Sequence, residues 1–216
     1  MTLYQRLHKA YGPQHWWPGD TAFEVMVGAV LTQNTAWTNV EKAINNLKQA
    51  GKLELPALVR MREARLARLI RPAGYFNVKA RRLKYLCRWL HQQGGIKKIA
   101  AWETRDLRDA LLGVHGVGPE TADDILLYAL DRPVFVIDAY TRRLLKRLGL
   151  IQGDEKYEVL RGGIEAVLDP EPALYNEYHA LIVRHAKEKC VKTPECIHCR
   201  IEKPLIPGVR KRETGE

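Results

Sequence analysis

The chain has 216 residues, 46% of them apolar and 28% charged, with 35 Lys+Arg against 25 Asp+Glu and a formal net charge of +10. That much apolar residue excludes a disordered polycation, and the length fits one large domain or two small ones. The basic excess points to an acidic polymer as partner.

From Met1 to His8 there is no apolar stretch of signal-peptide length, and no later run approaches the length that spans a bilayer. The expectation is a cytoplasmic protein with no membrane partner. Apolar residues then recur at helical spacing: Phe23, Val27, Val30 and Leu31, then Val40, Ile44 and Leu47, then Leu58, Met61, Leu66, Leu69 and Ile70. Strand-like alternation is nearly absent. Asp20 before Thr21, Thr104 before Leu107, Pro119, and Asp138 before Ala139 read as helix starts, whereas Gly51, Gly94, Gly95 and Gly149 read as ends. The pattern predicts an all-α chain of about ten helices, without repeats, low-complexity segments or a visible linker.

Charge is concentrated between Arg60 and Arg88, where ten Lys/Arg, Lys79 and Arg81 among them, face one acid, Glu63. This stretch reads as a phosphate-facing surface whose binding falls steeply with salt. Further on, Leu107 to Leu112 is helical, Gly113-Val114-His115-Gly116-Val117-Gly118 turns the chain, and Pro119-Glu120-Thr121-Ala122 opens a second helix. Gly116 and Gly118 are expected to adopt torsions closed to other residues and to keep side chains out of a ligand's path. Backbone N–H groups at such a helix start can hold a DNA phosphate, which makes Gly116, Val117, Gly118 and Thr121 candidate DNA contacts.

Gly116-Val117-Gly118-Pro119-Glu120-Thr121-Ala122, followed by Val136-Ile137-Asp138-Ala139-Tyr140-Thr141-Arg142-Arg143, resembles the helix-hairpin-helix, Gly-Pro-Asp superfamily of DNA glycosylases, to which endonuclease III belongs. Leu31-Thr32-Gln33-Asn34-Thr35 is similar to the family's wedge loop, and Gly74-Tyr75-Phe76-Asn77-Val78-Lys79-Ala80 to another shared segment. The resemblance implies a bilobal all-α fold. A helical barrel, residues 22–133, carries the hairpin and is inserted into a lobe made of residues 1–21 and 134–216, with the active cleft between the lobes. It also implies a monomeric, nucleoid-associated base-excision-repair enzyme acting on double-stranded DNA that contains a damaged base.

Asp138 stands at the position of the family's catalytic aspartate. It doubles as a helix N-cap, which would hold the carboxylate ionised and fixed. Cleaving an N-glycosidic bond builds positive charge on the deoxyribose, and a fixed carboxylate stabilises that charge and orients the attacking water. Bifunctional relatives place a lysine two residues after the last hairpin glycine, where it forms a Schiff base. Here that position is Glu120, so base excision with little or no strand cleavage is expected. Glu120 itself is a candidate at the catalytic position, with pocket wall, acceptor for a base N–H and plain surface residue as its open readings. Adenine-specific relatives carry a glutamate in the early helix where this chain has Ala29, which argues against adenine excision.

His15-Trp16-Trp17-Pro18, together with Trp37 after the Gln-Asn-Thr turn, resembles the 3-methyladenine branch, in which such residues line the base pocket. A cationic alkylpurine suits electron-rich rings by about 0.5–2 kcal/mol per good contact, and its base leaves without a strong acid. Burial in the core is the alternative for Trp16, Trp17 and Trp37. Where that branch keeps a lysine in a late helix, this chain has Leu181. Gln33 and Asn34 are the wedge candidates that would fill the gap left by the extruded base, a helix-capping role being the alternative. His115 and His179 have no partner that the sequence identifies, and neither is assigned a part in catalysis.

Cys190, Cys196 and Cys199 resemble the loop that holds a [4Fe–4S] cluster in endonuclease III, but the fourth cysteine is absent, with Lys203-Pro204-Leu205-Ile206 where it would fall. Three readings stay open: a cluster with a non-cysteine fourth ligand, zinc bound by the three cysteines and His198, or a loop without metal. Cys87, inside a helix, reads as a small buried hydrophobe. Two rival functions accompany the leading one. The first is an endonuclease III-like glycosylase for oxidised or deaminated bases, and the second is a non-catalytic helix-hairpin-helix DNA-binding protein.

Overall fold

The computed structural model describes residues 2–16 and 19–191. Among the described residues there are no strands and twelve α-helices: α1 (Leu3–Tyr11), α2 (Ala22–Leu31), α3 (Trp37–Gln49), α4 (Leu55–Arg60), α5 (Glu63–Leu69), α6 (Phe76–Gln92), α7 (Ile96–Ile99), α8 (Thr104–Leu112), α9 (Pro119–Asp124), α10 (Ala139–Arg147), α11 (Tyr157–Glu165) and α12 (Pro172–Glu188). A 3₁₀ turn, Arg71–Ala73, precedes α6, and a π-helical stretch, Ile125–Ala129, continues α9. The count exceeds the expected ten because elements as short as α4 and α7 cannot display a periodic apolar stripe. The chain divides into two compact units, one of Met1–Trp16, Ile137–Asp169 and Leu174–Glu216, the other of Trp17–Val136 and Pro170–Ala173.

In the second unit α2 is the central element. Every residue from Phe23 to Leu31 is buried, as expected for a helix packed on all sides rather than along one stripe. The π-helical stretch, α3, α6 and α9 surround it. The N-cap is Thr21, whose hydroxyl accepts from the Glu24 N–H at 3.1 Å; Asp20 instead pairs with Lys48 at 2.6 Å. Lys48 also neutralises the buried Glu24 at 2.8 Å, which explains how a carboxylate is accommodated on the apolar helix. Gly51, Gly94, Gly95 and Gly149 all have positive φ, as helix-ending glycines should.

The first unit is built on α1, α10, α11 and α12. Leu3 and Leu7 of α1, Leu144 and Leu145 of α10, Leu160 of α11, and Tyr175, Leu181 and Ile182 of α12 are buried. Polar ties accompany them. The Tyr11 hydroxyl meets His185 Nδ1 at 2.8 Å, the Gln14 N–H donates to Glu177 at 2.8 Å, and the Tyr157 hydroxyl accepts from the Ile137 N–H at 3.3 Å. The last of these anchors the strand-free segment leading into α10.

Candidate active site and nucleic-acid interface

The hairpin between α8 and α9 is pinned by two buried valines, Val114 and Val117, the second donating its N–H to the carbonyl of the first at 3.0 Å. Gly116 has φ +90°, and a Cβ there would collide with the side chain of Arg82. The expectation for Gly118 is corrected. Its φ of −94° and ψ of 178° are extended torsions open to any residue, and what its missing side chain leaves is open space in front of α9. Below the turn, Arg108 on α8 grips the fully buried Asp123 on α9 with two bonds, Nε to Oδ1 at 2.6 Å and Nη2 to Oδ2 at 3.1 Å. This fork fixes the two helices against each other.

Gln33, a wedge candidate, supports the hairpin. Its Nε2 donates to Gly116 O at 3.1 Å and to Thr121 Oγ1 at 2.9 Å, while its Oε1 accepts from Arg82 Nη1 at 2.5 Å. Every bonding group of the amide is therefore engaged within the unit, and so is the buried Thr121 hydroxyl. Asn34, next in the chain, is exposed and left-handed with φ +54°.

Lys79 is a second correction. It is 2% exposed, and its ammonium donates to Leu31 O at 2.7 Å, Ala73 O at 2.8 Å and Thr35 Oγ1, so it cannot also meet a phosphate. Burial, and after it the charge of Arg82, lowers its pKa to about 8. Arg81, by contrast, is exposed and lies 3.5 Å from Glu63. Tyr75, not singled out from sequence, is 76% exposed with φ +44° at the start of α6. A bulky residue on left-handed backbone is an outlier, and only its place after Gly74 hinted at it.

In the first unit Asp138 caps α10, its Oδ1 accepting from the Thr141 N–H at 2.7 Å. Its Oδ2 lies 3.6 Å from Nε2 of His179, a buried residue of α12 on which the Trp16 ring stacks at 5.8 Å between centroids and 25° between planes. Burial alone would raise the Asp138 pKa. His179 and the Thr141 N–H outweigh burial and hold the carboxyl below its ordinary range. Sequence reasoning gave His179 no role, and nothing in the residues between it and Asp138 would have paired the two.

Of the other pocket candidates, Trp37 is half-buried and packs on the core of its unit, its ring over Gly28, where a Cβ would come within 3.4 Å of it. Trp17 and Pro18 lie outside the described residues. Glu120 is exposed in the first turn of α9, and Ala29 and Leu181 are buried in their helices.

Cys190 follows α12. It is buried, its Sγ accepts from Arg147 Nη1 at 3.1 Å, and its carbonyl accepts from Arg143 Nε at 2.7 Å. Cys196, Cys199 and His198 lie outside the described residues. Cys87 sits in the core of the other unit, its thiol pushed up to about 12 by burial, with Lys84 opposing. An inert core thiol of this kind is no cluster ligand. The donor set in the tail is thus one thiolate short of an all-cysteine [4Fe–4S] site.

The pattern of the HhH-GPD superfamily of base excision DNA repair proteins matches residues 27–169. Over 203 residues, covering 93% of this chain and 92% of the relative, the sequence is 48% identical to a candidate DNA repair glycosylase of Methanocaldococcus jannaschii. It is 26% identical over 181 residues to endonuclease III of Sulfolobus acidocaldarius, covering 83% and 79% of the two chains. The crystal structure of H. pylori 3-methyladenine DNA glycosylase bound to 1,N6-ethenoadenine matches with a TM-score of 0.74 and 30% identity, covering 87% of this chain and 98% of that one. With a matching family pattern over most of its length and a relative this similar end to end, the chain belongs to the HhH-GPD superfamily of base excision DNA repair proteins.

Proposed function

We propose that the protein is a monofunctional DNA glycosylase that hydrolyses the N-glycosidic bond of alkylated purines of the 3-methyladenine type. The observation that carries this reading is the carboxylate of Asp138, fixed by the start of α10 on one oxygen, faced by His179 on the other, and held ionised. As the C1′–N bond breaks, its electron pair leaves with the base, and the positive charge of an alkylated purine is thereby neutralised. The sugar becomes oxocarbenium-like, Asp138 stabilises it, and water adds its hydroxide to C1′ while the proton passes to the carboxylate or to solvent. A cationic leaving base needs little acid assistance.

The choice of alkylpurine rests on Trp16, half-buried and stacked on His179, and on the 30% identity to a 3-methyladenine glycosylase. Glu120 in place of an amine supports hydrolysis without a Schiff base. On the hairpin side, Asn34 and Tyr75 fill the gap left by the extruded nucleotide, both being exposed on adjoining turns, while Gly116, Val117, Gly118 and Arg81 meet the backbone. The barrel of residues 22–133 would carry these contacts and the lobe of both termini the carboxylate. The three cysteines of the tail would serve structure, not the reaction.

The endonuclease III-like reading, a glycosylase for oxidised or deaminated bases, is favoured by the 26% identity to endonuclease III. Purified protein incubated with methylated duplex DNA separates the two. Release of 3-methyladenine, with strand breaks appearing only after alkali, is expected. Release confined to oxidised or deaminated duplexes supports the endonuclease III-like reading, and binding without any release supports a non-catalytic protein.

A further inference from the structure

We propose that Lys79 is a positioning residue for base extrusion, its interior ammonium setting the spacing of the two turns that present Asn34 and Tyr75. The inference rests on the glycosylase reading, because only an extruded base gives those side chains a gap to enter. Three oxygens converge on Nζ: Leu31 O at the end of α2, Thr35 Oγ1, and Ala73 O. Leu31 and Thr35 bracket the turn that carries Asn34, and Ala73 leads through Gly74 into Tyr75. Thr35 Oγ1 also donates to Ala73 O at 2.6 Å, so the two turns are joined directly as well as through the lysine.

An ammonium has three N–H donors and serves the three oxygens one to one, whereas a neutral amine has two and leaves one oxygen without a donor. No carboxylate takes part. The wedge turn, residues 32–36, has no charged side chain, and the charge that acts on Lys79 is that of Arg82 on α6. Burial lowers the Lys79 pKa to about 8, so any opening that returns the amine to water, local or global, takes up a proton between that value and 10.5 and becomes less favourable as pH rises. The closed turns therefore do not loosen in mildly alkaline solution, and the tie between them is read by removing the lysine or its hydroxyl acceptor.

The test follows hydrogen exchange of the Thr35 and Gly74 amides, which donate to Thr32 O at 3.0 Å and Arg71 O at 3.2 Å, in the full-length protein from pH 6.5 to 9.5. Single-turnover release of 3-methyladenine from methylated duplex is measured alongside, for wild type and Lys79→Met. In the wild type, protection corrected for intrinsic exchange and the urea midpoint do not fall between pH 8 and 9.5. Lys79→Met has weaker protection of both amides and slower excision at every pH, about tenfold or more in each. A folded Lys79→Met with wild-type protection, or one that excises at the wild-type rate, overturns the clamp. Should that variant not fold, Thr35→Val, which keeps the lysine and removes one of its three acceptors, is read in its place with the same two outcomes. Turns that loosen as described without base release at any pH refute the glycosylase reading and leave the clamp standing.

Discussion

Asp138→Asn separates two roles that one side chain performs. As an N-cap, Asn is as good as Asp, and its Oδ1 can keep the 2.7 Å bond from the Thr141 N–H. What disappears is the charge, worth about 0.3–1 kcal/mol against the helix dipole. Folding stability should therefore fall by less than about 1 kcal/mol, whereas Asp138→Ala forfeits the cap bond as well, about 0.5–2 kcal/mol. Catalysis should respond in the opposite proportion. Removing one preorganised group aimed at developing charge costs about 100–1,000-fold in rate, and the same order is expected for both variants. Single-turnover excision on methylated duplex gives the rate, urea titration the stability, and binding to abasic DNA the affinity, which should not change. An Asn variant within tenfold of wild type, or one as unstable as the Ala variant, would refute the reasoning. The pH dependence has a defined sign. A carboxyl held below its ordinary range contributes stability at neutral pH that is lost only as pH falls through its folded value, so Asp138 should produce no limb in the excision profile between about pH 5 and 7.

Arg108→Met removes the ion pair of Asp123, which has no exposed side-chain surface, and should cost about 3–5 kcal/mol by urea titration, with much of the loss recovered in the double variant carrying Asp123→Leu. Gly116→Ala meets both a left-handed φ and the Arg82 side chain; its thermal midpoint should drop by more than that of Gly118→Ala, which meets neither. Glu120→Lys should restore a nucleophile at the family's lyase position, read as a borohydride-trapped protein–DNA adduct and as strand breaks before alkali; absence of any adduct would show that this position does not reach the sugar.

What was legible in the sequence is what short-range chemistry decides. Pro119 and Asp138 start helices because fixed φ and a short acceptor side chain act on the next three residues, and Gly51, Gly94, Gly95, Gly116 and Gly149 take positive φ for equally local reasons. Lys79 was misread, and the partners of Gln33 went unseen, because both reach remote residues: Gln33 bonds Gly116 83 residues away, and Lys79 bonds Leu31 48 residues away. In a basic segment, a lysine bound for the interior is spelled the same as one bound for phosphate. His179 and the Arg108–Asp123 fork escaped notice for the same reason, since each acquires meaning only when two helices are brought side by side. Thr21 displaced Asp20 as the cap of α2 by a single position, a margin that residue preference alone does not resolve.

The same distinction changes what the basic run from Arg60 to Arg88 can do. Lys84 repeats the arrangement of Lys79, its ammonium donating to Leu58 O at 2.8 Å, Val59 O at 2.6 Å and Met61 O at 2.7 Å, where α4 ends. Arg82 is half-buried and committed to Gln33. Three of the ten cations therefore serve carbonyl groups and an amide inside the unit. Helix ends leave carbonyls without partners, and a cation there satisfies several at once while meeting the negative end of the dipole. Arg60, Arg62, Arg65, Arg68, Arg71, Arg81 and Arg88 remain exposed, Arg81 already near Glu63. Every exposed cation of the run is an arginine and both buried ammoniums are lysines. This division follows the chemistry: a compact three-donor ammonium fits converging carbonyls, and a planar guanidinium fits the paired oxygens of a phosphate.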